Sequence, residues 1–249
     1  MDRLQFLKIM GMSVVGAALA PEILAGTVTG MPRKLNEIDL GSKSLESDTP
    51  RQVTVLVLGA GQRGAVYASY AARYPDVMKV VGVADINPVR LAKMADEHGV
   101  EEKYRFSDWS EALAAGKIAD AVVISLPDDV HYKPCMKALD MGYHILLEKP
   151  VAPTRRECED IRGMANRKGA IVAVCHVLRY APYFVALKRV VDSGMIGRLV
   201  SVQHLEPIRY AHMAHSYVRG NWHNSQKTTP IILAKSCHDL DIIRWIVGS

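Results

Sequence analysis

Short apolar runs alternate with amphipathic stretches over residues 53–174, and this alternation predicts strands followed by helices. The first run, Val53 to Leu58, is apolar at nearly every position, as expected for a strand buried on both faces. The other predicted strands cover residues 80–84, 121–126, 144–147 and 170–174. Helices are predicted at 108–115, at 130–141, and behind a Thr-x-x-Glu capping box that begins at Thr154. The alternation predicts an α/β fold, with a parallel sheet wound by helices on both faces.

A glycine-rich turn follows the first strand directly. Its sequence is Gly59-Ala60-Gly61-Gln62-Arg63-Gly64, and a helical pattern begins behind it. In such a turn Gly59 permits the tight bend, Gly61 leaves room for a pyrophosphate, and Gly64 lets the helix pack against the strand. The helix N-terminus offers free amide groups and the positive end of a dipole to phosphates. The strand–turn–helix context predicts a Rossmann dinucleotide site, with Gln62 and Arg63 as further cofactor-binding residues.

Asp85 follows the second predicted strand and is the candidate ribose ligand. A carboxylate at this place accepts hydrogen bonds from ribose hydroxyls and repels a 2′-phosphate, which favours NAD over NADP. The alternative is that Asp85 caps the next helix, which begins near Asn87.

The N-terminal 50 residues differ in character from the rest. A short charged start precedes Ile9 to Ala20, an apolar run that Pro21 ends. This run is shorter than the roughly 20 residues of a transmembrane helix and suits a secretory signal. We expect a signal peptide (1–25), a linker (26–50) and export to the periplasm; a buried N-terminal helix is the alternative. The start also resembles a twin-arginine signal, although Leu4 follows Arg3 in place of the second arginine.

Composition excludes several classes. With 49% hydrophobic and 23% charged residues the chain is neither disordered nor collagen-like. The net charge of +5 comes from singly scattered Lys and Arg residues, which disfavours a nucleic-acid surface. The four cysteines show no metal-ligand spacing. We expect neither a nucleic-acid partner nor a stable membrane span.

The element Glu148-Lys149-Pro150 at the end of the predicted strand 144–147 makes the chain recognisable. Together with the glycine turn, Asp85, the segment 126–131 (LPDDVH) and His238, it resembles the Gfo/Idh/MocA oxidoreductases over about residues 52–249. The resemblance implies a Rossmann domain (51–172) followed by an α/β substrate domain (173–249) with an open, mostly antiparallel sheet that begins near residues 199–204. Because that sheet needs more chain, we expect the second domain to be incomplete here, and the full-length form to be a homo-oligomer.

The resemblance also assigns residues. It places Pro127, His131, Glu148 and Lys149 along the cofactor, with Leu126 where the family usually has threonine. It makes Lys149 and His238 the catalytic pair, and Arg179 a substrate ligand. An aspartate usually lies four residues before this histidine; here that position is Ala234, beside Lys235, which is a candidate replacement partner at the substrate.

The chemistry needs these residue types. Oxidising a secondary alcohol requires a base for the hydroxyl proton, and histidine titrates in a useful range. A nearby lysine stabilises the developing alkoxide charge. We therefore predict His238 as base and Lys149 as electrostatic clamp; without the resemblance, a histidine satisfied on a helix face is the simpler interpretation of His238.

The segment 210–224 is rich in Tyr, His, Trp, Asn and Arg. Aromatic faces stack on sugar rings and imidazoles reach hydroxyls, so we predict a carbohydrate-binding loop that includes Tyr210, His215 and Trp222. The alternative is a metal site on the five histidines that fall between His204 and His238, because imidazole suits zinc or iron. We identify no carboxylate or cysteine at ligand spacing from them. We predict no metal.

The resemblance implies three candidate functions. The leading one is an NAD-dependent oxidoreductase that oxidises a secondary hydroxyl of a sugar or glycoside. The second is a glycoside hydrolase that oxidises, eliminates, hydrates and reduces with a tightly bound, recycled NAD. The third, of another class, is a non-catalytic NAD- or sugar-sensing regulator.

Overall fold

The computed structural model describes residues 51–224 and 228–248. The predicted signal peptide and linker lie outside the described residues. The strands are β1 (Val53–Leu58), β2 (Met78–Ala84), β3 (Arg105–Phe106), β4 (Ala121–Ile124), β5 (His144–Leu147) and β6 (Val172–Val174). They form a parallel sheet in the order β3-β2-β1-β4-β5-β6, which confirms the predicted Rossmann sheet. The two-residue β3 was not predicted, because so short a strand shows no periodicity.

Helices follow the strands as the alternation predicts. They are α1 (Gln62–Arg73), α2 (Pro88–Glu97), α3 (Trp109–Ala114), α4 (Tyr132–Asp140), α5 (Arg155–Lys168), α6 (Pro182–Asp192), α7 (Tyr210–Met213), α8 (Ile231–Ala234) and α9 (Cys237–Val247). The capping box at the start of α5 is present, with Thr154 and Glu157 each bonded to the other's main chain. None of the described helices is long and apolar enough to cross a membrane.

The sheet separates two apolar layers. Val55 and Val57 of β1 face one layer with side chains of α1 and α2, whereas Leu56 and Leu58 face the other with side chains of α3, α4 and α5. All four are fully buried. Burial on both faces explains why β1 is apolar at nearly every position.

The chain beyond β6 is helical and irregular in the described residues. The strand expected at residues 199–204 is wrong: this segment has no strand structure. A strand needs a neighbour that completes its hydrogen bonds, and no described strand pairs with this segment. The antiparallel sheet of the second domain, the boundary at residue 172 and the domain's incompleteness stay predictions; β6 continues to Val174.

Candidate active site

The glycine turn lies between β1 and α1, at the point where the strand order reverses. Gly59 has a φ of +95°, a conformation that favours glycine, and a Cβ there would meet the Ser125 carbonyl oxygen at 2.6 Å. A Cβ on Gly64 would lie 2.0 Å from the Gly59 carbonyl oxygen. A Cβ on Gly61 would meet nothing closer than 3.9 Å, so there is open space in front of the turn.

This open space fits a dinucleotide. Helix α1 begins after Gly61 with no side-chain cap and no acidic residue in its first turn, so its amide groups are available to a pyrophosphate. Gln62 is exposed at the first position of the helix. Ligands of open α/β sheets bind beside the carboxyl ends of the strands where the order reverses, which is the position of this turn.

Asp85 is buried at the carboxyl end of β2 and supports the glycine turn. One oxygen accepts a hydrogen bond from the Ala60 amide at 2.7 Å, and the other accepts one from the Asn87 amide at 2.7 Å. The cap of α2 is the side chain of Asn87, so the alternative role of Asp85 as that cap is wrong. Arg90 lies 3.1 Å from Asp85 Oδ1, the oxygen that also accepts the Asn87 hydrogen bond. The sequence did not suggest Arg90 as a partner of Asp85.

Glu148 is buried at the end of β5 and is fully engaged by the protein itself. It accepts hydrogen bonds from Arg63 Nε at 2.7 Å, from the Tyr67 hydroxyl and from the Lys149 amide at 2.9 Å. Burial alone would raise the pKa of Glu148, but the charge of Arg63 and these hydrogen bonds outweigh it and hold the pKa below its ordinary value. The geometry gives Glu148 and Arg63 a bracing role beside the cofactor space.

His131 is likewise buried and lies between two loops. Its Nδ1 is 2.8 Å from the Pro150 carbonyl oxygen, and its Nε2 is 2.9 Å from that of Leu126. It therefore joins the loop after β4, which includes the exposed Pro127, to the loop after β5 that carries Lys149.

Lys149 and His238 come together although 89 residues separate them in the sequence. Lys149 Nζ donates a 2.6 Å hydrogen bond to the main-chain oxygen of Ala234, so a carbonyl holds the lysine at the position where the family usually has aspartate. Burial and the neighbouring Lys149 charge lower the pKa of His238 to about 4. A neutral imidazole beside an ammonium group can accept a proton from a substrate hydroxyl.

A second histidine lies behind His238, and the sequence did not reveal it. The rings of His176 and His238 are 5.9 Å apart and nearly perpendicular. The Nδ1 atoms of both are buried without a hydrogen-bond partner among the described residues. Asp241 lies 3.9 Å from His176 and accepts two 2.6 Å hydrogen bonds from Arg179. The signal available in the sequence for His176 was its position two residues after the end of β6.

Arg179 also lines a cavity of about 440 Å³ with Asp241, Trp245 and the C-terminal part of α9. Neither Lys149 nor His238 lines this cavity. The bidentate pair with Asp241 holds the guanidinium group of Arg179 beside α9, and the role of Arg179 as a substrate ligand stays a prediction.

Lys235 pairs with a carboxylate while its charge still acts on His238, whose pKa it helps to lower; its role at the substrate stays a prediction. Its ammonium group lies 3.0 Å from Glu206. His204 contacts Asp239 at 2.9 Å, and donor atoms of His204, Glu206 and Asp239 lie within 4.8 Å of one another. Two carboxylates therefore lie beside one of the five histidines, contrary to the expectation from the sequence spacing, and Lys235 adds a positive charge to the cluster. The absence of a metal stays a prediction.

The predicted carbohydrate-binding loop forms a short helix, a π turn and a 3-10 turn over residues 210–223. Tyr210, His215 and Trp222 are exposed. Tyr217, which the sequence did not single out, lies 6.3 Å from both His212 and Trp222, ring to ring. We call His212, Tyr217 and Trp222 the aromatic cluster.

Two family profiles match the chain. Residues 53–176 match the Gfo/Idh/MocA profile described as "Oxidoreductase family, NAD-binding Rossmann fold", and residues 188–249 match its "C-terminal alpha/beta domain". Among curated relatives, inositol 2-dehydrogenase 1 of Saccharopolyspora erythraea is 30% identical over 79% of this chain and 55% of its own length. The uncharacterized oxidoreductase YrbE of Bacillus subtilis is 29% identical over 80% of this chain and 55% of its own.

A solved structure is also similar to this chain. Scyllo-inositol dehydrogenase from Lactobacillus casei, with bound NAD(H) and scyllo-inositol, superposes with a TM-score of 0.68 at 26% identity. The match covers 79% of this chain and 56% of that one. The chain thus spans about half the length of the relatives it matches. The profiles and these relatives confirm the resemblance, and the chain belongs to the Gfo/Idh/MocA oxidoreductase family, whose first domain is an NAD-binding Rossmann fold.

Proposed function

We propose that this protein oxidises a secondary hydroxyl of a sugar or a related polyhydroxylated ring, with NAD as hydride acceptor. The observation that carries the proposal is the position of Lys149 after β5, where it bonds to Ala234 at 2.6 Å and its charge acts on the imidazole of His238. The relatives named inositol dehydrogenases support a polyhydroxylated ring as substrate.

The residues divide the reaction between them. NAD, when bound, takes the hydride from the carbinol carbon. His238 takes the hydroxyl proton, and the electron pair of the O–H bond forms the carbonyl. Lys149 stabilises the negative charge that develops on the oxygen during this step. Because burial and Lys149 keep His238 neutral, its imidazole is ready to accept that proton at neutral pH.

The remaining groups hold this geometry. Glu148 anchors the Lys149 amide, and the Ala234 carbonyl anchors the lysine's side chain. The first-turn amides of α1 would hold the pyrophosphate of NAD, and Asp85 would accept hydrogen bonds from its ribose hydroxyls.

The test separates binding from chemistry. NAD affinity is measured by calorimetry, and NADH formation is followed by absorbance with a panel of sugars and inositols. We expect Lys149→Met and His238→Gln each to lower kcat by about 100-fold or more while NAD still binds. A matched control, Lys93→Met in α2, should leave kcat unchanged, since the Lys93 side chain is 75% exposed and pairs with Glu97 of the same helix at 3.9 Å. Full activity in both site variants would contradict the proposal.

Export and assembly are proposed from the sequence alone. The apolar run from Ile9 to Ala20 supports a secretory signal and a periplasmic location. Fractionation of cells that express the chain, with N-terminal sequencing of the product, tests cleavage near residue 25. The homo-oligomer inferred from the family is tested by light scattering of the full-length protein.

A further inference from the structure

Asp128 is a buried carboxylate, and one of its oxygens has no hydrogen-bond partner among the described residues. It lies in the loop after β4 and is 4% exposed. One oxygen accepts a hydrogen bond from the Thr229 hydroxyl. The other, Oδ1, is buried without a hydrogen-bond partner among the described residues. An unpaired buried carboxylate oxygen is costly, so the arrangement calls for a donor from outside the chain.

The position of Asp128 is set by the sheet. Ile124 of β4 and Leu147 of β5 are register partners at the ends of their strands. The loops that follow them, with Asp128 and Lys149 respectively, therefore leave the same edge of the sheet. Asp128 also follows Pro127, which the family resemblance places along the nicotinamide.

Two residues from the chain beyond β6 lie near Asp128: Thr229, and Tyr217 of the predicted carbohydrate-binding loop. Thr229, 101 residues beyond Asp128, contacts it and is itself buried. Tyr217 of the aromatic cluster lies close enough to Asp128 to interact with its charge. Burial raises the pKa of the Tyr217 hydroxyl most, and the charge of Asp128 raises it further. A charged acceptor thus lies beside a surface of aromatic rings, at the edge that carries the catalytic lysine.

We propose that Asp128 is a substrate-specificity residue, whose Oδ1 accepts a hydrogen bond from a hydroxyl of the ring substrate while the aromatic cluster contacts the ring's apolar face. This inference rests on the proposed function and deepens it. An ionised carboxylate only accepts hydrogen bonds, so it selects a hydroxyl and repels a carboxylate or phosphate at the same position. The substrate class is therefore a polyol ring that carries no anionic group at this position.

The decisive variant is Asp128→Asn. The amide keeps an oxygen for Thr229 but places an NH₂ donor where Oδ1 was, at unchanged size. We expect KM for the best polyol of the panel to rise about 10- to 100-fold, as a hydrogen bond to a charged group is lost. The Kd for NAD should stay within about twofold, because the group binds substrate. Asp129→Asn, at the exposed neighbouring position, is the matched control and should change neither constant.

Other outcomes overturn the inference. An unchanged KM would show that Oδ1 meets no substrate hydroxyl, and a tenfold weaker binding of NAD would assign Asp128 to the cofactor. An equal rise in KM in Asp129→Asn would show that the effect comes from the loss of one negative charge and not from the position of Oδ1. Should Asp128→Asn fail to fold, as judged by thermal unfolding and NAD binding, Asp128→Glu keeps the charge while displacing the oxygens, and should likewise raise KM.

A binding measurement distinguishes failure of the proposed oxidation from failure of the inference about Asp128. Direct calorimetry with myo-inositol and glucose measures binding without turnover. Wild-type protein that binds a polyol but does not reduce NAD refutes the proposed oxidation, while the loss of that binding in Asp128→Asn still supports the inference. Absence of polyol binding in the wild type overturns it.

Discussion

Replacing Glu148 by alanine should destabilise the Rossmann domain, even though this residue belongs to a motif associated with the cofactor. The carboxylate is 6% exposed and accepts hydrogen bonds from Arg63, from Tyr67 and from the Lys149 amide. Its removal leaves the buried Tyr67 hydroxyl and the amide without their acceptor. Each such group costs about 1–3 kcal/mol.

The exposure of Arg63 limits the expected loss in the free energy of unfolding. Removing one partner of a fully buried ion pair costs about 3–5 kcal/mol. The Arg63 side chain is 44% exposed, so its guanidinium group regains water and its share is discounted. We therefore expect Glu148→Ala to lower the free energy of unfolding by about 3 kcal/mol, and Glu148→Gln, which keeps an acceptor, by about 1 kcal/mol.

Urea denaturation followed by circular dichroism measures these values. The control is Glu159→Ala, which breaks an exposed helix pair with Arg155 and should cost about 0.5 kcal/mol or less. A loss for Glu148→Ala no larger than that of the control would refute the network as a support of the loop that carries Lys149.

The pH dependence checks the same reasoning. Because the pKa of Glu148 is below its ordinary value in the folded protein, its stabilising contribution is complete above the unfolded pKa and declines as pH falls through the folded one. The stability difference between wild type and Glu148→Gln should be constant above about pH 5 and shrink in more acidic solution. A difference that grows toward acidic pH would show that the shift has the opposite sign.

Three further outcomes are expected. Gly64→Ala places a Cβ 2.0 Å from a main-chain oxygen and should lower the thermal unfolding temperature, whereas Gly61→Ala has open space, should fold normally and should weaken NAD binding in calorimetry. With the pKa of His238 lowered to about 4, the acid limb of the rate profile that belongs to this group should lie below about pH 5; a limb near the ordinary histidine pKa would count against His238 as base. Arg90 lies 3.1 Å from Asp85, so Arg90→Ala should weaken NADP binding more than NAD binding, and equal losses would argue against a role at the 2′-phosphate.

The sequence predicted the Rossmann half well because its signals are local. The burial of β1 on both faces, the capping box of α5 and the order of strands and helices all follow from neighbouring residues. β3 escaped prediction because two residues carry no pattern, and the strand at 199–204 was wrong because pairing depends on a neighbouring strand that local sequence does not supply.

The site residues were identified from motifs, but their partners were not. Arg63 and Glu148 were both expected at the cofactor, and the structure pairs them with each other. Lys235 was expected at the substrate, and it lies beside Glu206. Partner choice depends on distances between segments far apart in the chain, which a motif does not encode.

The sequence by itself determined the parallel sheet and the dinucleotide turn, because glycine geometry and apolar periodicity act over a few residues. The catalytic candidates came from the resemblance of the sequence to a known family. Only the tertiary structure decided what surrounds them: the carbonyl of Ala234 on Lys149, the ring of His176 against His238, and the unpaired oxygen of Asp128. These environments arise where the loops at the sheet edge meet the chain beyond β6. Burial and charge at that junction lower the pKa of His238, and they depend on the three-dimensional packing of distant segments.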